Sequence, residues 1–220
     1  MKPFRPIRQN GTRLVAAILG VLTLSLAGGG AVPELLVQDT PAPQALRLVA
    51  GGAAAPIAVD SQDYAGVRRA AGDLVEDVAR VTGVRPRLVE DQVSGARDIV
   101  VVGTLGRSRA IDRLVRAGKL DVREIRGRWE SSIVQVVARP WSGVDRALVI
   151  AGSDKRGTIF GIYDMSERIG VSPWYWWADV PVRHRDQLFV AAGRHVRGEP
   201  AVRYRGIFIN DEAPALSGWT

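Results

Sequence analysis

Ile99-Val100-Val101-Val102 offers no polar face. Four β-branched side chains in a row suit a pleated backbone, and successive residues point to opposite sides, so both faces must be covered. A glycine-rich exit turn follows, Gly103-Thr104-Leu105-Gly106. Ser108 to Ala117 then reads as a helix with Ile111, Leu114 and Val115 inward, stopped by Gly118. The order recurs at Ala147-Leu148-Val149-Ile150. There Gly152-Ser153-Asp154 precede a helix over Arg156 to Ile169, with Ser153 or Asp154 as its cap and Gly170 at its end. Strand, turn and helix, twice over, call for a sheet with helices laid on it.

The remaining periodic segments extend that sheet. Leu46 to Val49 and Ile57 to Val59 are short strand candidates on either side of a Gly/Ala turn. Asp60 or Ser61 is the expected cap of an amphipathic helix whose apolar positions are Tyr64, Val67, Ala71, Leu74, Val78 and Val81, ending at Gly83. Arg68, Arg69, Asp73, Glu76, Asp77 and Arg80 make its solvated face. Arg87 to Val89 adds a strand, and Ser132 to Arg139 alternates toward an antiparallel hairpin with Arg146 to Ala151. The expected fold class is α/β, a mixed sheet of about five strands with flanking helices. The turn at 103–106 carries neither GxGxxG nor GxxxxGK[ST], so a tight turn is favoured over a phosphate loop.

Charge is informative by position. The net charge is +7, but Lys2, Arg5, Arg8 and Arg13 contribute four positive charges before any acidic residue appears. Without them 26 basic residues face 23 acidic ones, mixed in sequence, which does not favour a nucleic-acid partner. The apolar run Leu14 to Leu26 after those four residues is shorter than the roughly 20 residues of a membrane span. Basic residues, a short apolar core and small residues up to Ala27 or Ala31 match a secretory signal peptide over 1–31, favoured over an uncleaved N-terminal anchor. The expectation is export to the periplasm or outside the cell, with no stable membrane insertion after cleavage. The sequence has no cysteine, so neither a lipid-anchored N-terminus nor disulfides are expected. Residues 32–45, rich in proline, read as a linker, and 46–200 as the α/β domain.

Two stretches fall outside this pattern. Ser172 to Pro181 places Trp174, Trp176 and Trp177 within four positions. Such rings fill a seam between domains, the favoured reading, or stack on a sugar. Arg203 to Ile209 reads as a buried strand delivering Asn210, Asp211 and Glu212 to its C-terminal end, where parallel α/β folds bind ligands. The alternative role for Asp211 or Glu212 is to cap a following helix. An unpaired apolar strand there would be an open edge prone to association.

Ser153 to Asp164, Ile169 to Pro181 and Tyr204 to Pro214 together resemble glycoside hydrolase family 115, the xylan α-1,2-glucuronidases, and the resemblance extends over about 46–220. It implies an N-terminal α/β domain like that of hexosaminidases, followed over 201–220 by the first strand of a truncated TIM-like barrel. The barrel's remainder would be an intramolecular partner. It also implies an inverting hydrolase that removes 4-O-methylglucuronic acid from glucuronoxylan. That chemistry needs two carboxyl groups roughly 6.5–9.5 Å apart, which adjacent residues such as Asp211 and Glu212 cannot supply. The acid and base are therefore expected downstream of Thr220, leaving the 220-residue chain inactive alone. Asn210, Asp211 and Glu212 are then expected to line the substrate pocket, with Arg205 either a sugar-binding arginine or only the partner of a carboxylate, and Trp176 and Trp177 on the rim. Lys155 and Arg156 can meet a glucuronate carboxylate, but a surface turn at a helix start is the favoured reading. No cofactor and no metal is expected, since His184 and His195 lack ligand spacing. The competing readings are a stand-alone secreted carbohydrate-binding or docking module, and a secreted structural domain without a ligand.

Overall fold

The computed structural model describes residues 34–206 and residue 208. The signal expected over 1–31 and the residues Asn210, Asp211 and Glu212 lie outside the described residues. β1 (Val37–Gln38), β2 (Leu46–Ala50), β3 (Ala53–Ala54) and β4 (Ile57–Val59) precede α1 (Ala65–Thr82). β5 (Leu88–Glu90) and β6 (Asp98–Thr104) lead to α2 (Arg109–Arg116). β7 (Ser132–Ala138) and β8 (Arg146–Gly152) lead to α3 (Lys155–Ile169), and β9 (Leu188–Val190) and β10 (Arg194–Arg197) follow.

Six strands form the main sheet in the order β10-β7-β8-β6-β4-β5. β8, β6, β4 and β5 run parallel, whereas β7 pairs antiparallel with β8 and β10 with β7. The expected hairpin of β7 and β8 is therefore present. Alternation along β6 divides the core. Val100 and Val102 join a cluster with Val67, Leu74 and Val78 of α1 and Ile162 and Met165 of α3. Ile99 and Val101 join a second cluster with Ile111 and Leu114 of α2. Both faces of the central strand are covered, as its composition requires.

Four short strands make a second, antiparallel sheet in the order β1-β9-β2-β3. It corrects two expectations. β2 and β4, both expected in one sheet, belong to different sheets. The segment expected as a linker contributes β1 and a fully buried Leu35, so it is part of the body. Asp98 at the start of β6 joins the two sheets. Its carboxylate accepts Arg47 Nε of β2 at 2.7 Å and Arg146 Nε of β8 at 2.6 Å.

The helix ends follow their cap chemistry in two cases of three. The Ser108 side chain accepts the Ile111 amide at the start of α2, and the Asp154 side chain accepts the Gly157 amide at the start of α3. Left-handed Gly83 and Gly170 end α1 and α3. α1 differs: its N-cap is Tyr64, without a side-chain bond, because residues 61–63 turn before the helix begins. The solvated face expected for α1 also needs correction at Asp77, which is buried; burial pushes its carboxyl above the ordinary value although Arg80 pairs with it.

The described part of the stretch expected as a buried strand takes no strand. Residues 203–206 and 208 lie outside both sheets, and Phe208 is 92% exposed. A strand exists only by pairing its backbone groups with a neighbour, and among the described residues none lies alongside.

Candidate functional site

The four parallel strands aim their carboxyl ends at one edge of the sheet, where such folds usually hold ligands. Asp91 follows β5, Asp60 follows β4, the turn at 104–106 follows β6, and Asp154 follows β8. Near β4 and β5 this edge is closed by the chain's own charges. Asp60 accepts the Arg109 amide at 2.9 Å, Arg109 Nε at 2.7 Å and Arg109 Nη2 at 3.0 Å. Arg109 also pairs with Asp91, which in turn accepts the Ser61 amide at 2.9 Å and its hydroxyl at 2.7 Å. Burial alone would raise the Asp60 carboxyl. The guanidinium and the Gln62 and Arg109 amides outweigh it and hold the group down at about 2. The cavity beside these residues is about 100 Å³. Ligand pockets run to several hundred Å³.

The turn after β6 is packed rather than open. A Cβ at Gly103 would lie 2.2 Å from the Cβ of Ser108. This glycine serves close approach of α2 to β6, in keeping with the tight-turn reading.

The same edge is open at β8. A cavity of about 480 Å³ is lined by the rings of Tyr64, Trp129 and Tyr204, by Lys155, Arg156 and Arg203, and by Glu130 and Asp154. Asp154 uses both carboxylate oxygens, accepting the Gly157 amide and the Glu130 amide, each at 2.8 Å. Glu130 is left-handed, with φ of 51°, and its carboxylate pairs with Arg156 at 2.9 Å and with Arg205. The Arg205 guanidinium lies 5.7 Å from the Trp129 ring and 5.9 Å from the Phe160 ring, and donates to the Val202 carbonyl at 2.6 Å. Chemically this is a mixed-charge recess with aromatic walls, able to hold a polar ring. Asp154→Ala is expected to cost about 1–2 kcal/mol, since two amides lose their acceptor at once. Urea denaturation monitored by circular dichroism measures it.

Of the residues singled out from the sequence, the described ones lie in two places. Lys155 and Arg156 occupy the first turn of α3 and line the recess, and Arg205 lies against that same end. Trp176 and Trp177 lie beyond the other end of α3, 75% and 62% exposed. Fifteen helical residues span about 22 Å, so the tryptophans are not on the rim of this recess. Instead Arg80 covers Tyr175 at 4.7 Å and Trp176 at 5.5 Å. Tyr64, Trp129, Glu130, Arg203 and Tyr204 were not anticipated as site residues. Trp129-Glu130, one residue ahead of β7, is the available signal, an aromatic and a carboxylate at a strand mouth. His184 approaches Asp186 at 3.1 Å and His195 approaches Asp164 at 3.9 Å. Among the described residues no group of three or more His, Cys, Asp or Glu is placed to hold a metal ion.

Comparison with known proteins adds two findings. The family model of glycosyl hydrolase family 115 matches residues 197–220. Among solved structures, the family GH115 4-O-methyl-α-glucuronidase BtGH115A, with specificity for decorated arabinogalactans, is similar at 29% identity and a TM-score of 0.60. The match covers 84% of this chain and 21% of that one. CpGH84D superposes with a TM-score of 0.43 at 8% identity, over 74% of this chain and 22% of its own. The chain thus spans about a fifth of each. No curated protein matches. The resemblance to family 115 now rests on a sequence segment and on a fold.

Proposed function

We propose that this chain, which carries the N-terminal architecture of glycosyl hydrolase family 115, is the N-terminal part of an exported α-glucuronidase acting on a decorated polysaccharide. The observation that carries the reading is the overlap of the two likenesses. One relative shares the α/β fold over 84% of the chain, and the family segment begins at residue 197, where β10 ends. On this reading the α/β body is a platform, and the segment after β10 leads toward the catalytic part. Asn210, Asp211 and Glu212 form one wall of the sugar pocket, while an opposed acid and base, roughly 6.5–9.5 Å apart, come from other loops of a barrel. Glucuronoxylan is the substrate the family resemblance implies, and a decorated arabinogalactan is the one suggested by BtGH115A.

A second reading, a secreted carbohydrate-binding module without catalysis, draws on the exposure of Trp174, Trp176 and Trp177, since exposed rings can stack on sugars. One assay separates the two. The product of the complete reading frame and the 220-residue chain are each incubated with glucuronoxylan and with decorated arabinogalactan, and released 4-O-methylglucuronic acid is quantified by chromatography. Release by the former and none by the latter is expected. No release from either polysaccharide by the complete product, together with retention of the 220-residue chain on polysaccharide that Trp176→Ala abolishes, would favour the binding module.

A further inference from the structure

We infer that Glu130 is a positioning residue: its buried carboxylate latches the segment after β10 to the α/β body and sets the direction in which the chain leaves it. Residues 198–206 take neither helix nor strand, so no backbone ladder holds them. Two polar anchors do, and both return to the short stretch Arg128-Trp129-Glu130. Glu199 accepts the Trp129 amide at 3.1 Å and pairs with Arg128 at 3.3 Å. Six residues later Arg205 meets the Glu130 carboxylate and lies between Trp129 and Phe160.

Glu130 is suited to this because it is itself fixed. Its side chain is only 6% exposed, against 34% for Arg205 and 54% for Arg156. Its left-handed backbone is costly for a residue with a Cβ, and it is held by the bond from its amide to Asp154. Asp154 also caps α3, tying the Glu130 backbone to the first turn of that helix. Gly157 permits the contact, since a Cβ there would lie 2.3 Å from the Ser131 carbonyl oxygen. One carboxylate between two guanidiniums thus joins a rigid corner of the body to an otherwise unladdered segment. Charge-assisted bonds to a group shielded from water are stronger than the exposed ion pairs elsewhere on this surface.

The position gives the latch its consequence. Arg205 stands five residues before Asn210 and inside the segment 197–220 that matches family 115. That consequence, aiming the pocket wall, rests on the proposed function; the latch does not.

The test uses chymotrypsin on the 220-residue chain. Tyr204, 86% exposed, is a cleavage point inside the latched segment, and Trp174 to Trp177 provide an internal control at the far end of α3. Arg205→Gln leaves the Glu130–Arg156 pair intact and so keeps the fold testable if Glu130→Gln does not fold. Each variant is expected to raise the cleavage rate after Tyr204 about tenfold or more, as loss of one charge-assisted bond implies. Cleavage in the tryptophan run should not change, and the double variant should be cut no faster than the faster single. An unchanged rate after Tyr204 in Arg205→Gln, or equal acceleration at the control stretch, overturns the latch. Absence of glucuronidase activity in the complete product would instead overturn the proposed function and leave the latch standing.

Discussion

Leu148→Ala is expected to lower the unfolding free energy by about 2–5 kcal/mol. Leu148 sits in β8, between Val100 of β6 and Val136 of β7, and is fully buried in the cluster shared with α1 and α3. Truncation removes apolar area from water-free packing and leaves a cavity beneath two helices. β8 is hydrogen-bonded on both sides, so the backbone cannot collapse into that space. Urea denaturation should show a lower midpoint with an unchanged slope. A loss below about 1 kcal/mol would mean that the α1 and α3 face repacks freely, contrary to a single dense core.

The same packing explains how much of the fold could be read from residues. β6 and β8 were readable because an unbroken β-branched or apolar run, ending in a glycine and a cap residue, admits few other structures. α1, α2 and α3 announced themselves by spacing and by Gly83, Gly118 and Gly170. β1 and β3, two residues each, are too short to carry any period. β9 is only Leu188-Phe189-Val190, and its place between β1 and β2 depends on a pairing some 140 residues distant. Nothing local in Leu46 to Ala50 says that its neighbour is β9 rather than β4. The second sheet is therefore a tertiary fact, not a local one.

The site divides in a similar way. Arg205 and Arg156 were legible as interesting cations, but their shared partner was not. Glu130 draws its importance from burial and from a left-handed backbone, and both depend on Asp154 and Gly157 across a turn. The tryptophan run shows the converse. Its composition is conspicuous, yet the length of α3 carries it away from the recess at the carboxyl edge. Position along a sheet edge decides which conspicuous residues can act together.

Acid should reveal what closes the other end of that edge. Asp60 has a folded value of about 2 against an ordinary 3.8, a depressed carboxylate. Its stabilisation is therefore complete above the unfolded value and is lost as pH falls from about 4 through about 2. The difference corresponds to roughly 2 kcal/mol, at about 1.4 kcal/mol per pH unit. Asp60→Asn keeps the shape but removes the charge that meets Arg109 at the first residue of α2. The variant should be less stable by about 2 kcal/mol near pH 7, and the gap should shrink toward zero as pH approaches 2. Asp91 is also depressed, by its hydrogen bonds from Ser61 and then by Arg109; it ionises in both proteins, and its bonds from Ser61 are untouched by the substitution. Urea denaturation of the pair at pH 7, 4 and 2.5 measures the gap directly. A gap that stays constant with pH would show that Asp60 acts through shape and neutral hydrogen bonds. The closure of this edge by internal ion pairing would then have to be abandoned, and its small cavity reconsidered as a site for an anion competing with Asp60 for Arg109.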